Sequence, residues 1–339
     1  MRAVDVLIVG AGPAGATAAL NLAPRRSVLV VERNAEPSPR IGESLPAAAR
    51  RLFRDMGLLE SFLAEGHAPC YGNRSVWGDA TPRETDALRD PDGHGWHLDR
   101  ARFERWLRDA AVARGAEIVA PAEVQAALTL DCSGRAASAA RRFGAQVRIH
   151  DRLVCGFVYG RDDGRGGRGL TYVEAVEEGW WYTAPMPGAR RVLAFHTDAD
   201  LPVVQIARDR DALLAHARHA RELSSLLDAA GFAAGATSAY TAANSATLDP
   251  CAGEGYLAAG DAALAFDPLS SQGLLNALFT GLAAAEAADS HLNGDSSALP
   301  RYRHTIAGIA DAYRAHLKEW YALERRWPAA PFWKRRHAV

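Results

Sequence analysis

The stretch Val4-Asp-Val-Leu-Ile-Val-Gly10-Ala-Gly12-Pro-Ala-Gly15 decides the fold. Val4 to Val9, apolar apart from Asp5, predicts a buried parallel strand. Gly10 permits a tight turn, Gly12 lets the backbone approach a pyrophosphate, and Gly15 lets the next helix pack closely on the strand. Ala16 to Leu22 is small and helical, and the helix N-terminus offers free N–H groups and partial positive charge to an anion. Ser27 to Val31 is a second buried strand. It ends in Glu32, 20 residues beyond Gly12, where a carboxylate takes ribose hydroxyls. Strand, glycine turn, helix, strand and acid together make a βαβ dinucleotide-binding unit. Its expected contacts are Gly10, Gly12, Pro13, Ala14, Gly15, Glu32 and Arg33.

That unit leaves NAD and FAD open. A second signal lies downstream in Gly255-Tyr-Leu-Ala-Ala-Gly260-Asp261-Ala-Ala. A buried strand over 255–259 brings Gly260 and Asp261 to the first glycine turn. There Asp261 is placed to hold a ribityl hydroxyl, which FAD has and NAD lacks; helix capping is its alternative duty. Asp267-Pro268-Leu269-Ser270-Ser271-Gln272-Gly273 leads into a helix over 272–288, whose start aims N–H groups at the N1/C2 edge of a flavin. No second glycine-rich nucleotide motif occurs, so no separate NAD(P)H domain is expected.

With 339 residues and 48% hydrophobic content, the chain has material for two lobes sharing an interface. A net charge of −1 points away from nucleic acid and from a membrane surface. No apolar run has the length of a membrane span, and a strand begins almost at the N-terminus, so a cytoplasmic protein without a signal peptide is expected. Cys70, Cys132, Cys155 and Cys251 have no metal-ligand spacing and read as reduced core thiols; no metal site is expected. Helices are expected over 47–56, from an Asp99 cap to about Gly115, over 208–230 and over 300–327. Strands are expected over 117–119 and from Leu128 into the Asp131-Cys-Ser-Gly134 turn. The glycine-rich run 160–169 reads as a mobile hairpin.

The fold class is therefore α/β: a Rossmann-like FAD-binding domain with a parallel sheet, an inserted antiparallel-sheet substrate domain and C-terminal helices. Residues 1–65, 99–146 and 251–290 are assigned to the FAD-binding domain. Residues 66–98 and 147–205 form the substrate domain, 206–250 a helix and connecting strand, and 291–339 a helical tail.

These motifs, with Arg40-x-Gly42-Glu43-Ser44-x-Pro46, resemble those of the flavin-dependent halogenase and aromatic monooxygenase superfamily over nearly the whole chain. The resemblance implies FAD, an aromatic substrate beside the isoalloxazine, and reduced flavin reacting with O2 to give a flavin hydroperoxide. Electrons come from NAD(P)H or a separate flavin reductase. It adds Arg40, Gly42, Glu43, Ser44, Arg102, Pro268 and Gly273 to the cofactor contacts and sets Val124 near the adenine. The chain between Glu123 and Leu130 is shorter than the family pattern, which has a β-hairpin there.

The halogenating groups of tryptophan halogenases are missing from the matching positions. Their relay lysine would fall in Tyr71-Gly-Asn-Arg-Ser-Val-Trp77, and the chain's two lysines are Lys318 and Lys334. Ser270 stands where those enzymes carry a Glu. Their Trp-x-Trp-x-Ile-Pro motif becomes Trp180-Trp181-Tyr182-Thr183-Ala184-Pro185. Oxygen transfer is therefore expected rather than halogen transfer.

Gly72-Asn-Arg-Ser-Val-Trp-Gly78, His94-Gly-Trp-His-Leu-Asp-Arg100, Ala194-Phe-His-Thr-Asp-Ala-Asp200 and Arg326-Trp-Pro-Ala-Ala-Pro-Phe-Trp333 resemble a narrower group. Those are flavoprotein maturation enzymes of tryptophylquinone oxidases and amine dehydrogenases, which hydroxylate a tryptophan within a partner protein. His97 and His196 are the candidate general bases. Trp96, Trp180, Trp181, Tyr182, Ser270 and Gln272 are the candidate pocket. Structural histidines and ordinary aromatic core packing are the alternatives for these residues. Alternatives for the whole chain are a halogenase with another relay, a small-molecule hydroxylase, a saturase on the same fold and a flavin-bound chaperone.

Overall fold

The computed structural model describes residues 2–164 and 169–338. Its first sheet has the spatial order Ala252–Gly253, Tyr256–Ala258, Val124–Asp131, Arg2–Val9, Val28–Val31, Glu117–Val119. All neighbours are parallel except the short first pair. Parallel pairing requires crossovers, and buried parallel strands need cover on both faces. Helix Pro13–Leu22 supplies the first crossover and packs against the long helix Gly273–Leu292. Helix Arg100–Ala113 lies beside it, capped by Asp99, whose side chain accepts from Arg102 N.

The second sheet has seven strands in the order Ala233–Ala242, Leu153–Arg161, Arg190–Asp198, Gly179–Met186, Leu170–Val176, Gly72–Val76, Arg83–Asp86. It is antiparallel except where Gly72–Val76 runs parallel to Leu170–Val176. Strand Ala233–Ala242 belongs to this sheet, pairing with Leu153–Arg161. The expected helix over 208–230 is two short ones, Arg210–Ala217 and Arg221–Ala229, preceded by a third, Val204–Arg208. Alternation along the strands separates two faces. Tyr172, Trp181 and Phe195 pack under the short helices with Leu213 and Leu223. Phe157, Trp180 and Ala194 face the other way and gather Ile41 and Leu269 from the first lobe and Phe332 and Trp333 from the C-terminus.

Within the expected helical tail, the chain breaks beyond helix Ala298–Leu323 at Glu324 and restarts at Pro331 as helix Pro331–His337. Proline suits a first helical turn because its missing N–H has no partner there. Of the run 160–169 expected as a mobile hairpin, residues 165–168 lie outside the described residues. All four cysteines are free; Cys132, Cys155 and Cys251 are buried, but Cys70 is half-buried, so the expectation of four core thiols holds for three. Among the described residues no helix is long and apolar enough to cross a membrane.

Candidate functional site

Four parallel strands end at one edge, where Val9 pairs with Val31 and Asp131, and Asp131 with Ala258. Gly10 turns there with φ +101, and a Cβ on it would lie 2.4 Å from the Cys132 carbonyl oxygen. A Cβ on Gly15 would lie 1.9 Å from Gly10 O. Gly12, by contrast, faces open space and is the N-cap of the helix that Pro13 starts, with no side-chain cap. Free N–H groups behind an open glycine are a pyrophosphate cradle. Gly260 packs against Ala14 from the opposite side.

Glu32 sits at the next strand end. Its Oε2 accepts from Ala11 N at 2.8 Å and its Oε1 from Asn34 N at 3.0 Å. Burial opposes the charge, but the backbone donors of Asn34 and Ala11, with Arg108 nearby, hold the carboxyl below its ordinary range. Arg33 beside it is exposed.

Sequence reasoning missed Arg108. Buried, it donates from Nε to Ala11 O at 2.9 Å and from Nη1 to Asn34 O at 3.0 Å, with Nη2 3.6 Å from Glu32. It belongs to a helix face, Arg100–Glu104–Arg108, spaced by fours, and that spacing is the signal that would have found it. Arg100 Nη1 donates to Gly42 O at 2.7 Å and Nη2 to Glu104 Oε1 at 2.7 Å. Arg40 Nε lies 3.7 Å from the same Glu104 oxygen.

Arg102, the other expected contact on this helix, is placed differently. Two residues from Arg100 on a 3.6-residue helix, it faces away, is exposed, and pairs with Glu65 at 2.8 Å. Val124 is the residue expected near the adenine. It opens its strand opposite Arg2, while Asp131 at the far end of that strand meets Val9, so the strand's length separates Val124 from the glycine turn.

The Gly42-Glu43-Ser44 loop joins the two lobes. Glu43 is fully buried, and burial raises its carboxyl; Tyr159 OH donates to its Oε1 at 3.0 Å. Ser44 Oγ and Tyr182 OH share a 3.1 Å hydrogen bond. Asp261 lies 3.6 Å from Arg135 and its side chain makes no helix-capping hydrogen bond. Asp267 is buried; Oδ1 accepts from Leu269 N at 2.9 Å and Oδ2 from Tyr321 OH at 2.7 Å. Ser270 turns its hydroxyl back to Asp267 O at 2.9 Å. Pro268 and Gln272 are exposed, and Gly273 begins the long helix.

The candidate pocket residues divide. Trp180 and Tyr182 share the face that meets the cofactor loops. Trp181 lies on the opposite face against Phe195, with centroids 4.8 Å apart, because neighbours along a strand alternate. Trp96 packs edge-on to Phe62 at 5.0 Å under Arg50, away from the face of His97.

His97 and His196 occupy different places. His97, opposite Ser44 in the register, meets Thr171 Oγ1 through Nε2 at 2.9 Å. His196 stacks on Trp180 with centroids 3.6 Å apart and planes 6° apart. Burial lowers both to about 3, and each keeps an Nδ1 without a hydrogen-bond partner. Both are neutral at pH 7, and so are weak rather than well-matched proton acceptors. Among the described residues no cluster of His, Cys, Asp and Glu is arranged to hold a metal.

A glycine turn open at Gly12 and the Glu32 carboxylate at the next strand end make a dinucleotide-binding edge. Residues 3–169 match the family model of the FAD binding domain. The whole chain is 27% identical to the FAD-dependent oxidoreductase LodB of Marinomonas mediterranea, over 98% of that protein. Among solved structures it resembles the myxobacterial chondrochloren halogenase CndH, with a TM-score of 0.87 and 21% identity, over 100% of this chain and 87% of that one. It also resembles the peptidyl tryptophan dihydroxylase QhpG, with a TM-score of 0.79 and 22% identity, over 99% of this chain and 79% of that one. The chain is an FAD-dependent oxidoreductase with the fold of the flavin-dependent halogenases and monooxygenases.

Proposed function

We propose that the chain is a monooxygenase that transfers oxygen to a tryptophan side chain carried by a partner polypeptide. The observation that carries this reading is the junction of Tyr182 with Ser44 at 3.1 Å. It sets an aromatic-lined, lysine-free sheet face against the cofactor loop. Both lysines of the chain, Lys318 and Lys334, lie exposed on the outer sides of the C-terminal helices, so the relay group of tryptophan halogenases has no counterpart on that face. The description of QhpG as a peptidyl tryptophan dihydroxylase supports a polypeptide-borne substrate.

FAD fits the residues present, since Gly12 is open where a phosphate needs room and Glu32 stands at the ribose position. When bound, reduced by NAD(P)H or a partner reductase, and supplied with O2, it provides an electrophilic oxygen. The chain does the rest. The helix behind Gly12 and Pro13 holds the pyrophosphate. Arg100, fixed by Glu104, braces the Gly42 loop. Tyr182, half-buried beside Ser44, orients an indole, and the buried Trp180 next to it excludes water. The ring proton shed when aromaticity returns passes to a neutral acceptor, for which His97, with Nε2 on Thr171 and Nδ1 unpartnered, is placed nearer the loop than His196.

The test is mass spectrometry after the photoreduced enzyme meets labelled O2 with a tryptophan-containing peptide and chloride. Gain of labelled oxygen on the indole supports the reading. A chlorine isotope pattern overturns it in favour of halogenation.

A further inference from the structure

The sheet face that carries Trp180 and Tyr182 is covered by the chain's own C-terminus. Phe332 and Trp333 are fully buried there. The Trp333 ring meets Trp77 edge-on at 5.3 Å and its Nε1 donates to Val176 O at 2.9 Å. Two arginines follow. Arg336 grips Asp198 through Nη2 and Nη1 at 2.9 and 3.1 Å while lying 3.5 Å over the Phe332 ring. Arg335 reaches Asp198 at 3.1 Å and Asp200 at 2.6 Å. The receiving surface is thus an aromatic slot that ends in an acid pair, and Asp198 stands two residues beyond His196 on the same strand.

The segment that fills this slot is held by side chains. Helix Pro331–His337 has seven residues, too few to be stable on its own. Glu324 and Pro328 separate it from the long helix, and it adds no strand to either sheet. Opening this element exposes two fully buried aromatic side chains, and side-chain packing rather than sheet pairing is what resists it. The slot also continues into the candidate site, because Tyr321, 6.0 Å from Trp333, receives the Trp180 N–H and donates to Asp267.

We infer that residues 325–338 are a removable occupant of this face, and that the slot is the docking groove for the partner polypeptide. The partner segment it fits has the tail's own chemistry: an aromatic pair followed within a few residues by arginines that meet Asp198 and Asp200. This rests on the reading above that a polypeptide carries the substrate. The tail competes intramolecularly, so it blocks weak partners and yields to one whose aromatic residues and cations match better.

The test uses the full-length chain and binding readouts alone. In the wild type, amide exchange over 331–337 proceeds by local opening, faster than over strand 190–198. In Arg335→Glu with Arg336→Glu, the tail faces Asp198 and Asp200 with like charge, and its exchange rises at least about tenfold while the strand keeps its protection. A synthetic peptide of residues 326–337 then binds the double variant at least about tenfold tighter than the wild type. Adding Asp198→Asn and Asp200→Asn removes that binding. Exchange of 331–337 at the rate of strand 190–198 in the wild type overturns the inference, because the tail then opens only with the whole fold. So does a double variant that does not fold, or peptide binding indifferent to Asp198 and Asp200. Peptide binding as expected, with no peptide ever oxygenated, overturns the proposed function and leaves the groove standing.

Discussion

The Tyr321 hydroxyl donates a 2.7 Å hydrogen bond to Oδ2 of Asp267 and accepts one of 3.3 Å from Trp180 Nε1. One phenol thereby ties the last long helix to the sheet face and to the turn that precedes the helix at Gly273. Asp267 N also donates to Tyr313 OH at 2.7 Å, from the same long helix. Burial, with Asp151 adding a like charge, raises the Asp267 carboxyl to about 6.

This has a pH signature. The folded chain keeps a proton on Asp267 at pH values where the unfolded carboxyl, near 3.8, has ionised. The stability this supplies is complete below about pH 4 and is lost as pH rises through about 6. Relative to Asp267→Asn, the wild type therefore loses about 2–3 kcal/mol between about pH 4 and pH 7. Urea unfolding of both chains across that range measures it; a pH-independent difference would show an ordinary carboxyl.

Two glycines separate folding from cofactor binding. Gly15→Ala forces a Cβ against the Gly10 carbonyl and destabilises the chain by about 1–3 kcal/mol or more. Gly12→Val points into open space, so its Tm stays within a few degrees of the parent. Its FAD affinity falls at least about tenfold because the side chain takes pyrophosphate room. Thermal unfolding beside a flavin-fluorescence titration distinguishes the two, and equal FAD affinity for Gly12→Val would move the phosphate site elsewhere.

Arg108 and Arg102 lie on one helix and are expected to behave oppositely. Arg108→Leu strips Glu32 of its ion pair and Ala11 and Asn34 of their donor, costing about 3–5 kcal/mol along with FAD affinity. Arg102→Ala breaks an exposed pair worth at most about 1 kcal/mol and leaves FAD binding unchanged. Unfolding curves and FAD titration of both variants check this.

Trp181 and Tyr182 test which face of the sheet meets the substrate. Trp181→Phe opens space under the short helices and costs about 1–3 kcal/mol, with kcat/KM for peptide oxygenation within about twofold of the parent. Tyr182→Phe releases Ser44, costs about 1 kcal/mol and lowers kcat/KM by about tenfold. The reverse pattern would put the substrate under the helices.

The nucleotide-binding half was legible because its signals are local. The apolar strand over 4–9, the glycines at 10, 12 and 15 and the acid at 32 act within one βαβ unit, where backbone sterics and strand burial leave few alternatives. The second lobe was legible as sheet, but not in its extent, because strand Ala233–Ala242 joins it only through pairing with Leu153–Arg161. Read from the sequence, Trp180 was grouped with Trp181 and Trp96 with His97, although neighbours along a strand point opposite ways; which of each pair meets the cofactor loops depends on how the sheets pack. Helical spacing implied that Arg100 and Arg108 share a face, but the rotation that turns this face to the glycine loop, and Arg102 away from it, comes from packing the whole helix. Strand register likewise sets Val124 at the end of its strand away from the glycine turn. The sequence by itself determined the cofactor class and the first lobe, through short-range backbone constraints. Only the tertiary structure decided which side chains line the site and that the C-terminal aromatics cover it, because long-range packing chooses among faces that local periodicity leaves equivalent.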